Sequence, residues 1–477
     1  MKRTQRVDLT TSFAQALDRL RSPSPQEPLA IACSGGLDSM VLLHLASGYA
    51  RLHGVALHVL HVHHGLSSNA DLWLDHVEAA SATIGARFAA RRVDVLNIGT
   101  GTEAAARKLR YAALGAMCLE DGVTLMLTAH HLDDQAETVL LQLLRGSGTA
   151  GMSGMDAANA APDLLGNPTL VMARPLLQHS RVELEQYAAE HAISWVEDES
   201  NADPHFARNA LRLQVMPALA AAFPGFQQRF ARSAAHAQSA QRLLTELAEQ
   251  DLRASLLDNA LDVAVLRTLS LDRIGNLLRH WFAVRGLAMP STAWLSELIA
   301  QLLEARPGAQ LLVTHPACHL RRHRERLYIT PRLAQLAGMR DPDDEGIEGI
   351  EGIPVKEGQR FRWSGEAQLD FPDYGGVLFF APAATGLDAA WLRGQTLLID
   401  FRKGGERLKL APNRPTRSLK AHYQTSDVPA WERLRLPVLW AGRELLFAAA
   451  IGMDCAHAAV GDAAAVTLRW EPYALSL

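Results

Sequence analysis

The sequence predicts an α/β protein with a doubly wound parallel sheet, followed by a helical domain and a small C-terminal domain that is mixed α/β or β-rich. Three observations support this prediction. From residue 28 to about 200, short apolar runs typical of strands alternate with helical patterns. Residues 205–335 have helical periodicity and are rich in Ala, Leu, Arg and Gln. Residues 361–380 and 396–477 contain short β-like runs separated by Gly and Pro.

Alternation of strands and helices defines the first domain. Its predicted strands are Leu29–Cys33, Val55–His61, Phe88–Val95, Val123–Ala129 and Ile193–Val196. Its predicted helices are Met40–Leu52, Ala70–Ile84, Glu103–Leu119, Asp134–Leu144 and Arg181–His191. Ligands of such sheets bind beyond the carboxyl ends of the strands. We therefore expect three polar clusters at strand ends to meet in one crevice: the loop after Cys33, His61–His64, and His130–Asp134.

Four segments follow from these patterns. They are an α/β domain at residues 1–220, a helical domain at 221–335, an acidic linker with a short β region at 336–384, and a C-terminal domain at 385–477. Residues 341–352 hold six acidic residues and no basic residue. That composition is typical of a solvated linker.

Composition limits the class of protein. A chain of 477 residues suggests about three domains at ~150 residues each, and 48% hydrophobic residues with 21% charged ones indicate a globular protein. The net charge of −4 gives no global sign of nucleic-acid binding. Four widely spaced cysteines argue against a zinc or iron–sulfur site and fit a reducing compartment. We find no signal peptide or apolar span, and expect a soluble, cytoplasmic protein.

The first chemical motif is a glycine-containing loop, residues Ser34, Gly35, Gly36, Leu37, Asp38 and Ser39. It lies between a predicted strand and a predicted helix, where backbone N–H groups can surround phosphate oxygens. Asp38 would need Mg²⁺ between its carboxylate and a phosphate. An ordinary helix cap is the alternative interpretation. A Walker-type loop fits less well, because the Gly-Lys-Ser/Thr ending is absent.

The second motif is His130–Thr138, in which an apolar strand leads into two histidines and two aspartates. Asp134 and Glu137 are three residues apart and would face the same side of a helix. Two carboxylates there can hold Mg²⁺ or an ammonium group, and a neighbouring histidine can move a proton. A capped helix with surface acids is the alternative.

The third motif places loop acids, residues 197–203, before Arg208 and Arg212. A site for an amino acid needs carboxylates that bind its ammonium group and guanidinium groups that bind its carboxylate. A solvated turn is the alternative interpretation of this polar run.

Together these motifs resemble the tRNA(Ile)-lysidine synthase family of N-type ATP pyrophosphatases, the PP-loop superfamily. The resemblance runs along the whole chain through SGGLDS, HVHHGL, AAARKLRY (104–111), HHLDDQAET, RGSGTAGMSGM (145–155), RPLL (174–177), EDESNADPHFARN, GGERLK (404–409), LKAHYQ (419–424) and VPAWERLRLPVL (428–439). The chain departs from the family pattern at two places. Ser67-Ser68 stands where an arginine is expected, and His63 replaces the usual asparagine.

The resemblance implies a Rossmann-like PP-loop catalytic domain at residues 1–220 and tRNA-binding domains at 221–335 and 385–477. It implies an enzyme that converts the wobble cytidine of a CAU-anticodon isoleucine tRNA to lysidine. ATP would adenylate the C2 oxygen of cytosine and release pyrophosphate, and the ε-amine of L-lysine would then attack C2 and expel AMP. The residues implied to bind ATP are those of the Ser34–Ser39 loop, with Asp38 placing Mg²⁺.

The implied lysine-binding residues are Asp134, Glu137 and Arg208. The base that deprotonates lysine is His130, Asp133 or Asp134, and the choice stays open. Phosphate or tRNA contacts are expected from Arg107, Lys108 and Arg110 on one predicted helix. A solvated helix face is the alternative interpretation of that trio.

Local charge in the C-terminal domain points to nucleic acid. Residues 401–420 hold seven basic residues and one acidic residue, and seven minus one is a net charge of +6. The tRNA contacts expected there are Arg402, Arg407, Lys409 and Lys420. Trp431 could stack on a base or be buried in its domain.

Other functions fit the sequence less well. A tRNA thiolase needs reactive cysteines or an iron–sulfur cluster, and an amide-forming ligase that uses glutamine needs a nucleophilic cysteine domain. The cysteine spacing offers neither. A non-catalytic RNA-binding protein would have no use for the acidic set Asp38, Asp134 and Glu137. The oligomeric state, a homodimer included, stays open.

Overall fold

A computed structural model describes residues 8–21, 27–63, 65, 67–94, 102–199, 205, 207–304, 306, 311–332, 358–461 and 463–473. The chain divides into two compact units, Met1–Leu244 and Thr245–Leu477. The acidic stretch 341–352, predicted to be a linker, lies outside the described residues. Among the helices described, none is long and apolar enough to cross a membrane.

A six-stranded sheet organises the first unit. Its strands are β1 (Leu29–Ala32), β2 (Leu57–His63), β3 (Arg87–Arg92), β4 (Leu125–Leu127), β5 (Ala158–Ala160) and β6 (Val171–Ala173). Their spatial order is β3-β2-β1-β4-β6-β5, and only β5 runs antiparallel to its neighbour. This arrangement confirms the predicted parallel sheet. The predicted strand at residues 193–196 is wrong, because that segment is an irregular loop and β6 takes the place beside β4.

The structure describes twelve helical segments along this part of the chain, and those of the two main buried clusters cover both faces of the sheet. They are α1 (Leu9–Leu20), α2 (Leu37–His53), α3 (Ala70–Thr83), α4 (Thr102–Glu120), α5 (Leu132–Leu144), α6 (Thr149–Met152), α7 (Pro162–Leu165), α8 (Arg181–Glu190), α9 (Ala207–Ala210), a π-helical turn (Leu211–Val215), α10 (Met216–Ala222) and α11 (Phe226–Ser255). Ile31 of β1 packs in one buried cluster with α1, α2 and α8, whereas its neighbour Ala30 packs in the other with α4. Burial on both faces explains why the inner strands β1 and β4 are continuous apolar runs, whereas the edge strand β3 is polar and partly exposed.

An antiparallel sheet with helices begins the second unit. Its strands are β7 (Leu256–Leu257), β8 (Ala260–Asp262), β9 (Leu311–Thr314), β10 (Cys318–His323) and β11 (Arg326–Pro331), in the order β7-β8-β11-β10-β9. The helices are α12 (Val263–Leu266), α13 (Leu271–Val284) and α14 (Thr292–Glu304). Trp281 and Phe282 of α13 are buried against Leu320 of the sheet. The expected helical domain is therefore helical in large part, but the prediction omitted most of this sheet.

Two further sheets and a ribbon complete the second unit. The strands are β12 (Gln359–Phe361), β13 (Gln368–Phe371), β14 (Gly376–Ala383), β15 (Leu387–Asp388), β16 (Leu397–Asp400), β17 (Arg407–Leu408), β18 (Arg417–Ser418), β19 (Val438–Ala441), β20 (Glu444–Ala448), β21 (Gly452–Met453) and β22 (Ala465–Pro472). The sheet β12-β16-β19-β20-β21 and the sheet β13-β14-β22-β15 share one core, while β17 and β18 form a ribbon. The short helices are α15 (Ala389–Arg393), α16 (Leu419–Thr425) and α17 (Ala430–Arg433). A β-rich end domain was predicted, and the structure has one.

Candidate active site

The glycine loop joins the end of β1 to the start of α2. The Ser39 hydroxyl accepts a hydrogen bond from Gly35 N–H at 3.1 Å and donates to the Gly36 carbonyl at 2.9 Å. No side chain caps α2 at Gly36, so the N–H groups of its first turn are left for another acceptor. The loop therefore has the geometry of an anion site at a helix start rather than of a self-capped helix.

Gly35 is required by its backbone and by its neighbours. Its φ of +93° lies in the left-handed region, and a Cβ there would be 3.0 Å from Val196 Cγ2 and 3.2 Å from Val77 Cγ2. The Gly35 carbonyl also accepts a hydrogen bond from Val196 N–H at 3.0 Å. The loop is thereby fixed to the segment that precedes the third motif.

Asp38 lies in the first turn of α2 beside two basic side chains. Its Oδ2 is 3.6 Å from His131 Nε2 and 3.9 Å from Arg181 Nη1. Its Oδ1 is buried without a hydrogen-bond partner. An uncompensated carboxylate oxygen beside a phosphate loop fits a hard cation such as Mg²⁺. In the described part of the chain no group of three His, Cys, Asp or Glu could enclose a metal, so phosphate and water oxygens would complete its coordination.

The second motif caps α5. His131 Nδ1 accepts from Asp134 N–H at 3.4 Å, and Asp134 Oδ2 accepts from His131 N–H at 3.0 Å. This reciprocal pair is a capping box, so the helix-cap interpretation is correct for one oxygen of Asp134. The other oxygen, Oδ1, lies 3.3 Å from Arg208 Nη2 and 3.2 Å from Arg212 Nη2.

Glu137 brings the second and third motifs together. Its side chain is 2% exposed, and its Oε2 accepts from Arg208 Nε at 2.8 Å. Its Oε1 accepts from Arg212 Nε at 2.8 Å. The two arginines come from α9 and from the π-helical turn that follows it. Two carboxylates and two guanidinium groups therefore form one compact cluster, which has both kinds of group that bind an amino acid.

His131 joins this cluster to the glycine loop, and sequence reasoning did not select it. The imidazole is buried, with Nε2 3.6 Å from Asp38 Oδ2 and 3.4 Å from Asp134 Oδ2. Burial opposes its protonation, but the carboxylates of Asp38 and Asp134 prevail and raise the pKa of His131. Its helix-capping position before two acids was the signal that could have identified it.

The three candidates for the base differ in their surroundings. Burial is the main cause that lowers the pKa of His130 to about 3, and the charges of Arg174 and Arg107 act in the same direction against the opposing effect of Asp134. His130 Nδ1 is 2.9 Å from the Thr128 hydroxyl. Its imidazole is therefore neutral at neutral pH.

Both aspartate candidates already have partners. Asp133 Oδ2 accepts from Arg181 N–H at 2.8 Å, and Oδ1 accepts from Gln227 Nε2 at 3.1 Å. Burial would raise the pKa of Asp134, but His131 and the arginine Arg208 outweigh it, and the pKa is lowered. Asp133 thus serves to join helices.

A group of arginines lies near His130. The Arg107 and Arg110 guanidinium carbons are 4.9 and 5.5 Å from the centre of the Tyr111 ring. Burial lowers the pKa of Arg110 and of Arg174. Lys108 is exposed on the same helix as the first two. The predicted trio is therefore split, with Arg110 part-buried and Arg107 and Lys108 exposed.

The departures from the family pattern have structural roles. His63 ends β2, and its Nε2 is 3.2 Å from Asp71 Oδ1, which also pairs with Arg92. The Ser67 hydroxyl accepts from Asn69 N–H at 3.1 Å, at the start of α3. Of the other predicted positions, His64 and residues 200–203 lie outside the described residues.

Arg402 requires a correction among the predicted tRNA contacts. Its side chain is buried, with the guanidinium carbon 5.3 Å from the centre of the Tyr423 ring and Nε 3.7 Å from Glu406 Oε2. A buried cation cannot reach a phosphate in solvent, so we remove Arg402 from the expected contacts. Arg407 is exposed on the β17–β18 ribbon, while Lys409 and Lys420 are half-buried.

Trp431 packs inside the second unit. Its ring centre is 5.6 Å from that of Tyr328 and 6.0 Å from that of His323, and the Arg321 guanidinium carbon is 5.5 Å from it. Asp427 Oδ1 lies 2.8 Å from His323 Nε2 at the same place. Trp431 is half-buried and packs against the β10–β11 hairpin.

Family models match three parts of the chain: a PP-loop domain at residues 9–219, a TilS substrate binding domain at 261–328, and a TilS substrate C-terminal domain at 397–470. A tRNA(Ile)-lysidine synthase of Ralstonia nicotianae is 43% identical over 439 residues and covers 91% of each chain. The chain belongs to the tRNA(Ile)-lysidine synthase family. Synthases of Burkholderia pseudomallei (42% identical, 93% of each chain) and Serratia proteamaculans (38%, 90% of this chain and 92% of that one) are also similar.

Membership of the tRNA(Ile)-lysidine synthase family confirms the predicted class of enzyme. The chain is a ligase of tRNA modification that uses ATP and forms a carbon–nitrogen bond. The thiolase and amide-ligase alternatives are therefore set aside.

Proposed function

We propose that this enzyme converts the wobble cytidine of a CAU-anticodon isoleucine tRNA to lysidine, with ATP and L-lysine as co-substrates. One observation carries the proposal. His131 lies 3.6 Å from Asp38 of the phosphate loop and 3.4 Å from Asp134 of the acid–arginine cluster. A triphosphate bound at the phosphate loop and an amino acid bound at the acid–arginine cluster would therefore lie within a few side-chain lengths of each other.

In the first step, the C2 oxygen of cytosine attacks the α-phosphorus of ATP. The new oxygen–phosphorus bond forms as the bond to the β-phosphate oxygen breaks, and its electron pair leaves with pyrophosphate. N–H groups of the Ser34–Ser39 loop hold the departing phosphates. Asp38 would hold Mg²⁺, which neutralises phosphate charge when bound.

In the second step, the ε-amine of lysine attacks C2 and AMP leaves with the oxygen. Asp134 and Glu137 bind the α-ammonium group of lysine, and Arg208 binds its α-carboxylate with help from Arg212. The ammonium and carboxylate groups of bound lysine replace arginine–carboxylate contacts that already exist. The charges of the site therefore stay balanced.

We propose His130 as the base for the ε-ammonium group. Its imidazole is neutral, and the Thr128 hydroxyl donates to the Ala173 carbonyl at 3.3 Å. His130 Nδ1–H therefore donates to Thr128 Oγ1, which leaves Nε2 to accept the proton. Phosphates bound near Arg107 and Arg174 would offset the charges that lower its pKa, making His130 more basic when substrate is present. Asp133 is set aside because both of its oxygens hold helices together.

Binding of tRNA in the second unit is assigned to the basic ribbon. Arg407, Arg414 and Arg417 are exposed on β17, β18 and the loop between them. With Lys409 and Lys420 close in sequence, this surface can neutralise several phosphates. In the first unit, Arg107 and Arg110 are assigned to tRNA.

The decisive experiment combines the protein with radiolabelled lysine, ATP and an isoleucine tRNA transcript with a CAU anticodon, followed by nucleoside analysis. We expect one labelled lysine per transcript, released AMP and pyrophosphate, and a lysine-bearing nucleoside at the wobble position. A GAU-anticodon transcript should accept no label. The proposal would be contradicted if the tRNA carried no label and the ATP was not consumed.

A further inference from the structure

The phosphate loop carries no positive charge of its own. None of the six residues from Ser34 to Ser39 is basic, although the pyrophosphate that leaves in the adenylation step is strongly anionic. Arg181 lies beside this loop, with Nη1 3.9 Å from Asp38 Oδ2. Its side chain is 42% exposed, so its guanidinium has room to reach a ligand.

Backbone and capping bonds fix the position of Arg181 without its side chain. It is the first residue of α8, which starts with a capping box between Ser180 and Glu183. Arg181 N–H donates to Asp133 Oδ2 at 2.8 Å, and Leu132 N–H donates to the His179 carbonyl at 2.8 Å. The starts of α5 and α8 are thereby joined, and truncation of the arginine side chain leaves these bonds intact.

One nitrogen of the Arg181 guanidinium has a hydrogen-bond partner on its own helix, and the Nη end faces the phosphate loop. Arg181 Nε donates to Glu185 Oε1 at 3.1 Å, one turn further along α8. Nη1 is then the group that points to Asp38 at 3.9 Å, a distance that a direct hydrogen bond would not have. Among the described residues no acceptor forms a hydrogen bond with the Nη groups, so the planar fork is available for two phosphate oxygens. The positive helix ends of α2 and α8 add to its field.

We propose that Arg181 binds the β- and γ-phosphates of ATP and stabilises the pyrophosphate as it leaves. The electron pair of the breaking phosphorus–oxygen bond goes to pyrophosphate, and Arg181 neutralises that charge without transferring a proton. The inference rests on the proposed role of the Ser34–Ser39 loop in holding these phosphates. It adds a phosphate-binding residue from α8, outside the loop itself.

Product inhibition tests this assignment. Magnesium pyrophosphate and AMP are each titrated against wild-type enzyme and Arg181→Ala in the lysine-transfer assay. Because a charge-assisted hydrogen bond contributes about 1.5–3 kcal/mol, the inhibition constant for pyrophosphate should rise about 10- to 150-fold. The constant for AMP, which lacks the β- and γ-phosphates, should stay within about twofold. The kcat should fall about 100-fold, as when one transition-state donor is removed.

Two variants make the result specific. Arg91→Ala removes an arginine of similar exposure that pairs with Glu120, and it should change neither constant. Arg181→Lys should recover part of the pyrophosphate affinity through its charge. Unchanged pyrophosphate inhibition in Arg181→Ala, or equal loss for AMP and pyrophosphate, would overturn the assignment. Failure of the loop itself would show separately, as undiminished ATP turnover in Asp38→Ala.

Discussion

Arg212 Nε donates a 2.8 Å hydrogen bond to Glu137 Oε1, although 75 residues separate them along the chain. Arg208 Nε bonds the other oxygen of the same carboxylate at 2.8 Å. A buried acid with two arginines is neutralised, yet each arginine keeps further N–H groups for a ligand. This relationship makes Glu137 the centre of the amino-acid site that we propose.

Glu137→Gln should weaken lysine binding specifically. The amide keeps the shape of the side chain but removes the charge that opposes two guanidinium groups and attracts an ammonium. We expect the KM for lysine to rise at least about tenfold, with the KM for ATP within about twofold. Steady-state kinetics with each substrate varied in turn measures both. Equal changes in the two constants would instead indicate a general loss of structure.

Asp38→Ala should abolish ATP consumption and leave tRNA binding nearly intact. Its Oδ1 is a buried carboxylate oxygen without a hydrogen-bond partner among the described residues, and the substitution removes this proposed Mg²⁺ ligand. Pyrophosphate release and a filter-binding assay with tRNA report the two properties separately. As a matched control, Asp71→Ala removes an exposed acid from an ion pair with Arg92 and should keep ATP turnover. Wild-type turnover in Asp38→Ala would rule out the assigned role.

Arg407→Ala combined with Lys409→Ala should weaken tRNA binding and flatten its salt dependence. Each lost phosphate contact lowers the slope of log Kobs against log salt by about 1, so the double variant should lose about 2. Arg402→Met is the control, because its guanidinium is buried against Tyr423. It should lower the thermal unfolding temperature while the salt slope of the folded protein stays unchanged. An unaltered slope in the double variant would take the ribbon out of the tRNA contact.

Acid should destabilise the folded protein partly through His130. Its folded pKa of about 3 lies below the usual value of 6.5, so the unfolded chain binds a proton first as the pH falls. This contribution to stability is complete above pH 6.5 and is lost as the pH falls towards 3. Between pH 6 and 4.5, His130→Asn should show a shallower decline in unfolding free energy, by up to about 1 kcal/mol per pH unit. Urea titrations at each pH measure it, and parallel curves would contradict the prediction.

Local sequence was sufficient to predict the parts of the fold that depend on interactions between neighbouring residues. The glycine loop and the cap of α5 are set by adjacent residues, so both are predictable from the order of the amino acids alone. The Arg208 and Arg212 spacing likewise indicated a pair, but only the fold shows that both reach Glu137.

Long-range packing explains what the sequence did not predict. The apolar letters of residues 193–196 fit a strand, yet β6 occupies the position beside β4 that a further strand would need. Arg402 was predicted to be an exposed positive charge, because charge composition does not show which side chains pack on it. Tyr423, 21 residues later in the sequence, packs against its guanidinium group. Arg181 and His131 gained their significance from Asp38, a partner in another helix.

The hydrogen bond from Val196 N–H to the Gly35 carbonyl couples the glycine loop to the segment that precedes the arginines of the acid–arginine cluster in the sequence. In the proposed assignment the loop binds the nucleotide, and Arg208 and Arg212, which follow Val196 in the sequence, bind the amino acid. If the loop moves when a triphosphate binds, the Val196 backbone should move with it, and we expect lysine affinity to change. Lysine affinity measured with and without a non-hydrolysable nucleotide would report the size of that change.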